Sequence, residues 1–146
     1  MEKTTIFYER LKDIMFEKNI SVDFLANELS VDISSIYKWL RNTELPSMNN
    51  LIKIADYFSC SIDYLLGRSS ISISVKYKKC PPFNIHIQTF IKKQNITEYR
   101  ICKDTKISRA NFYTWKTAKH IPLPDSLIRL ADYFDCSIDY LIGRED

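Results

Sequence analysis

At 146 residues the chain has room for one ordinary domain or two very small ones. Hydrophobic residues make up 45% and charged residues 27%, a composition that folds, while a net charge of +3 does not by itself demand a nucleic-acid partner. Two glycines leave no Gly-rich phosphate cradle, two histidines cannot build an H-E-x-x-H site, and the four cysteines never fall as C-x-x-C, so an enzyme, a metal site and a cofactor are all disfavoured.

In chain order, Phe7, Leu11, Ile14 and Met15 recur at helical spacing and predict a first amphipathic helix. Ser21 is a candidate N-cap for a short second helix, and Asp32 for a third that carries Ile36 and Trp39 on its apolar side. Pro46 breaks the chain before a fourth helix holding Leu51, Ile54, Ala55 and Phe58. Ser61 then caps a short fifth helix, with Gly67 suited to a left-handed position at its end. Residues 69–82 follow as a linker. Within it Ile71, Ile73, Val75 and Tyr77 alternate with polar residues, a period of two that predicts a short β-strand. A strand with no second strand in the chain has two outlets. It packs on a helical unit, or it pairs with the same segment, 71–77, of another copy to give a homodimer through a two-stranded ribbon.

From Phe83 the pattern starts again. Leu51–Arg68 and Leu127–Arg144 are identical at 14 of 18 positions, at a fixed offset of 76. Carried back without a gap, that offset pairs Pro46 with Pro122, Trp39 with Trp115, Tyr37 with Tyr113 and Phe7 with Phe83. The second copy has its own stripe (Phe83, Ile87, Phe90, Ile91), its own caps at Thr97, Ser108 and Ser137, and its own terminal Gly143. The expected fold is all-α: two five-helix domains, 1–68 and 83–146, joined by the strand-like linker.

Helices two and three are separated by a very short turn at Ser30–Asp32 and again at Lys106–Ser108. That is the spacing of a helix-turn-helix, whose second helix enters a DNA major groove. The run Leu25-Ala26, Leu29-Ser30-Val31, Ile36-Tyr37, Trp39, then Leu45-Pro46 and LIKIADYFSCSIDYLLGR resembles the Xre/Cro-type (lambda-repressor-like) DNA-binding domain over Ile6–Arg68, and more weakly over Asn84–Arg144. The resemblance implies a dimeric transcriptional regulator, repressor-like in kind. It departs at Ser30, where the family usually has glycine. It departs again at Thr105, a polar residue at a usual core site.

With Ile36 and Trp39 turned to the core, 100° per residue directs Ser34, Tyr37, Lys38 and Arg41 outward. The second copy offers Arg109, Ala110, Tyr113 and Thr114, with Lys116 and Lys119 adding charge. Arg109 is the foremost base reader, since a guanidinium grips the two guanine acceptors of the major groove; Ala110 suits a thymine methyl. Charge separates the copies. Residues 1–68 have 8 basic against 10 acidic side chains, the linker adds three lysines, and residues 83–146 have 10 basic against 8 acidic. Phosphate neutralisation supplies much of DNA affinity, so the second copy is expected to bind the more strongly. The rival reading makes one domain, the acidic first for preference, a protein-interaction module such as an antitoxin or a repressor antagonist. Fourteen linker residues span at most about 46 Å, enough to set two heads on successive turns of a duplex about 34 Å apart. The absence of a secretory hydrophobic core in MEKTTIFYER and of any long apolar run predicts a cytoplasmic protein without a membrane partner.

Overall fold

The computed structural model describes residues 2–71 and 77–146. Contacts divide the chain into two units, Met1–Lys76 and Tyr77–Asp146. The first holds α1 (Glu2–Glu17), α2 (Val22–Leu29), α3 (Ile33–Leu40), α4 (Met48–Phe58) and α5 (Ile62–Leu65). The second holds α6 (Phe83–Gln94), α7 (Glu98–Thr105), α8 (Arg109–Lys116), α9 (Pro124–Tyr133) and α10 (Ile138–Leu141).

The helix starts follow from side-chain caps. Ser21, Thr97, Ser108, Ser61 and Ser137 each accept a hydrogen bond from the amide three residues on, at 2.9–3.1 Å. Asp32 stands at the N-cap of α3, yet its side chain makes no capping bond. At the other end of the short helices, Gly67 and Gly143 take φ of +83° and +85°. A Cβ at Gly143 would lie 2.7 Å from Pro81 Cδ, so glycine is required there for space as well as conformation.

Each core is the predicted apolar stripe closed on itself. Phe7, Leu11, Leu25, Ile36, Trp39, Leu51 and Ile54 are buried in the first unit, where α1 packs on α3 and α5. Ile87, Ile101, Phe112, Trp115, Leu127 and Leu130 do the same in the second, where α6 packs on α8 and α7 on α9. In small units such dense apolar packing is the main source of stability.

The identity of the repeated block has a second cause. Asp139 and Arg144 form an ion pair at 2.7 Å with both side chains fully buried, and Asp63 pairs with Arg68 in the first unit. The Arg144 guanidinium also lies 3.8 Å from the centre of the Tyr77 ring, and the Arg144 carbonyl accepts from the Lys78 amide at 2.8 Å. The pair therefore fastens residues 77–78 to the end of α10.

The strand-like linker is not borne out. Among the described residues the regular elements are helices, with no strand. Ile71 is 63% exposed and lies outside any element, and Tyr77 spends its ring on Arg144. Ile73 and Val75, part of the same expectation, lie outside the described residues. Alternation alone does not make a strand when the chain supplies no neighbour to satisfy its edge. The ribbon-paired homodimer rested on that strand, and the middle of its segment, residues 72–76, lies outside the described residues.

Candidate nucleic-acid interface

The turn between α2 and α3 is made by Ser30, which adopts φ +55°, while Val31 donates its amide to the Ala26 carbonyl at 3.0 Å. Lys106 repeats the left-handed turn in the second unit at φ +63°, donating to the Cys102 carbonyl. In place of the glycine, serine and lysine hold a left-handed conformation that costs them about 1 kcal/mol. Thr105, polar at a core site, is satisfied locally. Its hydroxyl donates to the Ile101 carbonyl at 2.7 Å and accepts from the Ile107 amide at 3.4 Å, so it braces the turn instead of weakening the bundle.

The predicted readers fall into two groups. Ser34, Tyr37, Lys38 and Arg41 are exposed along α3; Arg109, Ala110, Tyr113 and Lys119 are exposed on or just after α8. Tyr113 is 62% exposed, because the core side of α8 is taken by Phe112 and Trp115. Thr114 and Lys116 are half-buried and otherwise engaged. The Thr114 hydroxyl donates to the Asn111 carbonyl at 2.6 Å. The Lys116 ammonium sits 2.8 Å from the Glu98 carboxylate, linking the end of α8 to the start of α7. That contact sets the two helices of the motif against each other rather than offering charge to a ligand.

Lys103 and Lys106 join the surface instead, both exposed on the turn side of α7. With Arg109 and Lys119 they make four cations that carry no ion pair among the described residues. Arg100 differs, donating to Asp104 at 3.1 Å. The Tyr133 hydroxyl, with Arg100 behind it, holds the Asp104 carboxyl below its ordinary range, so Asp104 stays charged and absorbs Arg100. Burial pushes the Cys102 thiol up despite nearby Arg109, which leaves it protonated beneath the motif. Helical phase missed one exposed side chain, Asn111 on the flank of α8. Its amide borders a hollow of about 280 Å³ with His120, Leu123 and Ser126, and an asparagine amide is suited to adenine. Its cue was its place one residue from Phe112, at the edge of the buried stripe.

Two short helices held by a left-handed turn, the second displaying cations and hydrogen-bonding groups outward, define a helix-turn-helix protein. Residues 11–65 match the family described as helix-turn-helix, and residues 86–146 match the Cro/C1-type HTH DNA-binding domain. The chain belongs to the Cro/C1, or XRE, type and carries two such domains in tandem. Neither family description is that of an enzyme.

The chain is similar to the HTH-type transcriptional activator BcrR of Enterococcus faecalis, 36% identical over 61 residues, which is 42% of this chain and 30% of that protein. It is also similar to the cryptic phage CTXphi transcriptional repressor RstR of Vibrio cholerae serotype O1, 43% identical over 44 residues, 30% of this chain and 39% of the relative. The matches thus span about a third of each relative's length. No solved structure matches the chain at the same stringency. Among the described residues no helix is long and apolar enough to cross a membrane, and no group of three or more His, Cys, Asp or Glu is placed to hold a metal ion.

Proposed function

We propose that this protein is a repressor-like transcriptional regulator that binds double-stranded DNA through its second domain, with α8 in the major groove. The observation that carries this reading is the unpaired cation set Lys103, Lys106, Arg109 and Lys119 around one outward helix. On it Arg109 grips guanine, Tyr113 and Asn111 meet base edges, and Ala110 leaves room for a thymine methyl. Lys103, Lys106 and Lys119 neutralise phosphates, which sets affinity and register without reading sequence. It acts in the cytoplasm and as a homodimer. Supporting a second copy are the large apolar side chains left at the surface, Phe16 in the first unit and Leu123 in the second.

The experiment is selection of bound sequences from random duplexes, followed by titration of the selected site with the Arg109→Ala variant. A loss of about 1–3 kcal/mol, with relaxed preference at one base pair, is expected. An unchanged affinity would overturn the assignment.

A further inference from the structure

The two motifs share a backbone and differ in chemistry at the cleft between their helices. Lys103, Lys106 and Arg109 of the second domain are replaced, 76 positions earlier, by Asn27, Ser30 and Ile33. Tyr99 and Ser108 are replaced by Asp23 and Asp32. Three cations of the second motif thus correspond to uncharged residues in the first, where two carboxylates stand at neighbouring positions.

In the first domain this cleft is open and about 390 Å³ in volume, with Ala26 and Val31 at its base and Asp23, Asp32 and Ile33 at its rim. Asp23 and Asp32 are exposed and form no ion pair among the described residues, and Asp32 makes no capping bond. Ile33 is 41% exposed and Tyr37, one turn further along the same face of α3, is 44% exposed. Lys38, in the last turn of α3, and Arg41, its C-cap, do not line the cleft.

Carboxylates at the place where a motif of this shape meets phosphate repel a duplex. An apolar helix face bordered by free carboxylates is complementary to a polypeptide that combines cationic and apolar side chains. We propose that the first domain docks a cationic segment of a partner protein in the α2–α3 cleft, with lysine or arginine side chains on Asp23 and Asp32 and an apolar side chain packed on Ile33. Duplication has then divided the labour, one domain reading DNA and the other a protein. The division of labour rests on the second domain's DNA reading, whereas the docking of a cationic segment on the first does not.

The test is amide chemical-shift mapping on the isotope-labelled full chain with three probes: a short amphipathic lysine–leucine peptide, its glutamate–leucine counterpart, and a random-sequence duplex. The lysine peptide is expected to move the amides of Asp23, Asn27, Asp32 and Ile33. Its affinity should fall about three- to tenfold in an Asp23→Asn/Asp32→Asn variant, and again in Ile33→Ser, all exposed positions whose folding the same spectra report. The duplex should move Arg109 and Tyr113 and leave Ile33 and Tyr37 in place. Equal binding of the glutamate peptide, indifference to both variants, or duplex-induced shifts at Ile33 and Tyr37 as large as those in α8 would overturn the proposal; the last would make both domains DNA readers.

Discussion

Replacing Arg144 by alanine is the severest single perturbation available outside the apolar core. The wild-type guanidinium is fully buried, pairs with a fully buried Asp139 at 2.7 Å and stacks on Tyr77 at 3.8 Å. Removing one partner of such a pair leaves a carboxylate in a poorly solvating interior without its countercharge, at a cost of about 3–5 kcal/mol. Loss of the stacked ring contact adds roughly 0.5–2 kcal/mol. A unit of this size has a total stability of only about 4–10 kcal/mol, so the variant should hold its second domain barely folded. Urea unfolding followed by amide signals from each unit is the assay, because the first unit supplies an internal control. Its transition should stay fixed while the second moves to low urea or disappears. The double replacement Arg144→Met/Asp139→Leu should recover most of the loss, since two apolar groups need no countercharge. A loss below about 1 kcal/mol in Arg144→Ala would mean that Asp139 does not need its countercharge in the folded unit.

Three further outcomes follow from particular contacts. Gly143→Ala combines a φ of +85° with a Cβ 2.7 Å from Pro81, and should destabilise the second unit by about 1–3 kcal/mol in the same urea assay. Burial holds the His86 imidazole below its ordinary pKa of 6.5, with Lys78 and Lys93 adding to the effect against the opposing backbone bonds at Tyr140 and Leu141. The unfolded chain therefore takes up the proton first. The second unit should keep the contribution of a neutral His86 above about pH 6.5 and lose that contribution as pH falls below, a slope that His86→Asn should flatten. Lys116→Gln breaks the contact with Glu98, and should cost less than about 1 kcal/mol of stability while leaving the salt dependence of DNA binding unchanged.

Most of the architecture was legible because helical spacing and caps are local. The stripes from Phe7 and Phe83, the serine and threonine caps and the left-handed glycines all appear where the pattern put them. What could not be read depends on particular partners, which helical phase does not specify. Lys116 counts as added charge in the sequence, but Glu98, 18 residues away, holds it. Thr114 likewise has the direction of a reader, though its hydroxyl is taken by its own backbone at Asn111. The Asp139–Arg144 pair escaped because it spans a helix end through a glycine turn, where no helical periodicity applies. The linker misled for the converse reason. Tyr77 looked like one beat of a strand alternation, whereas its ring is fixed by Arg144.

If the free cations of the second motif meet phosphate, they set the salt dependence of binding. Salt titration of binding to a selected duplex measures this directly, comparing wild type with Lys103→Gln/Lys106→Gln. The plot of log affinity against log salt should lose about two units of slope, one per lysine, with base preference retained. An unaltered slope would move the DNA-contacting surface elsewhere.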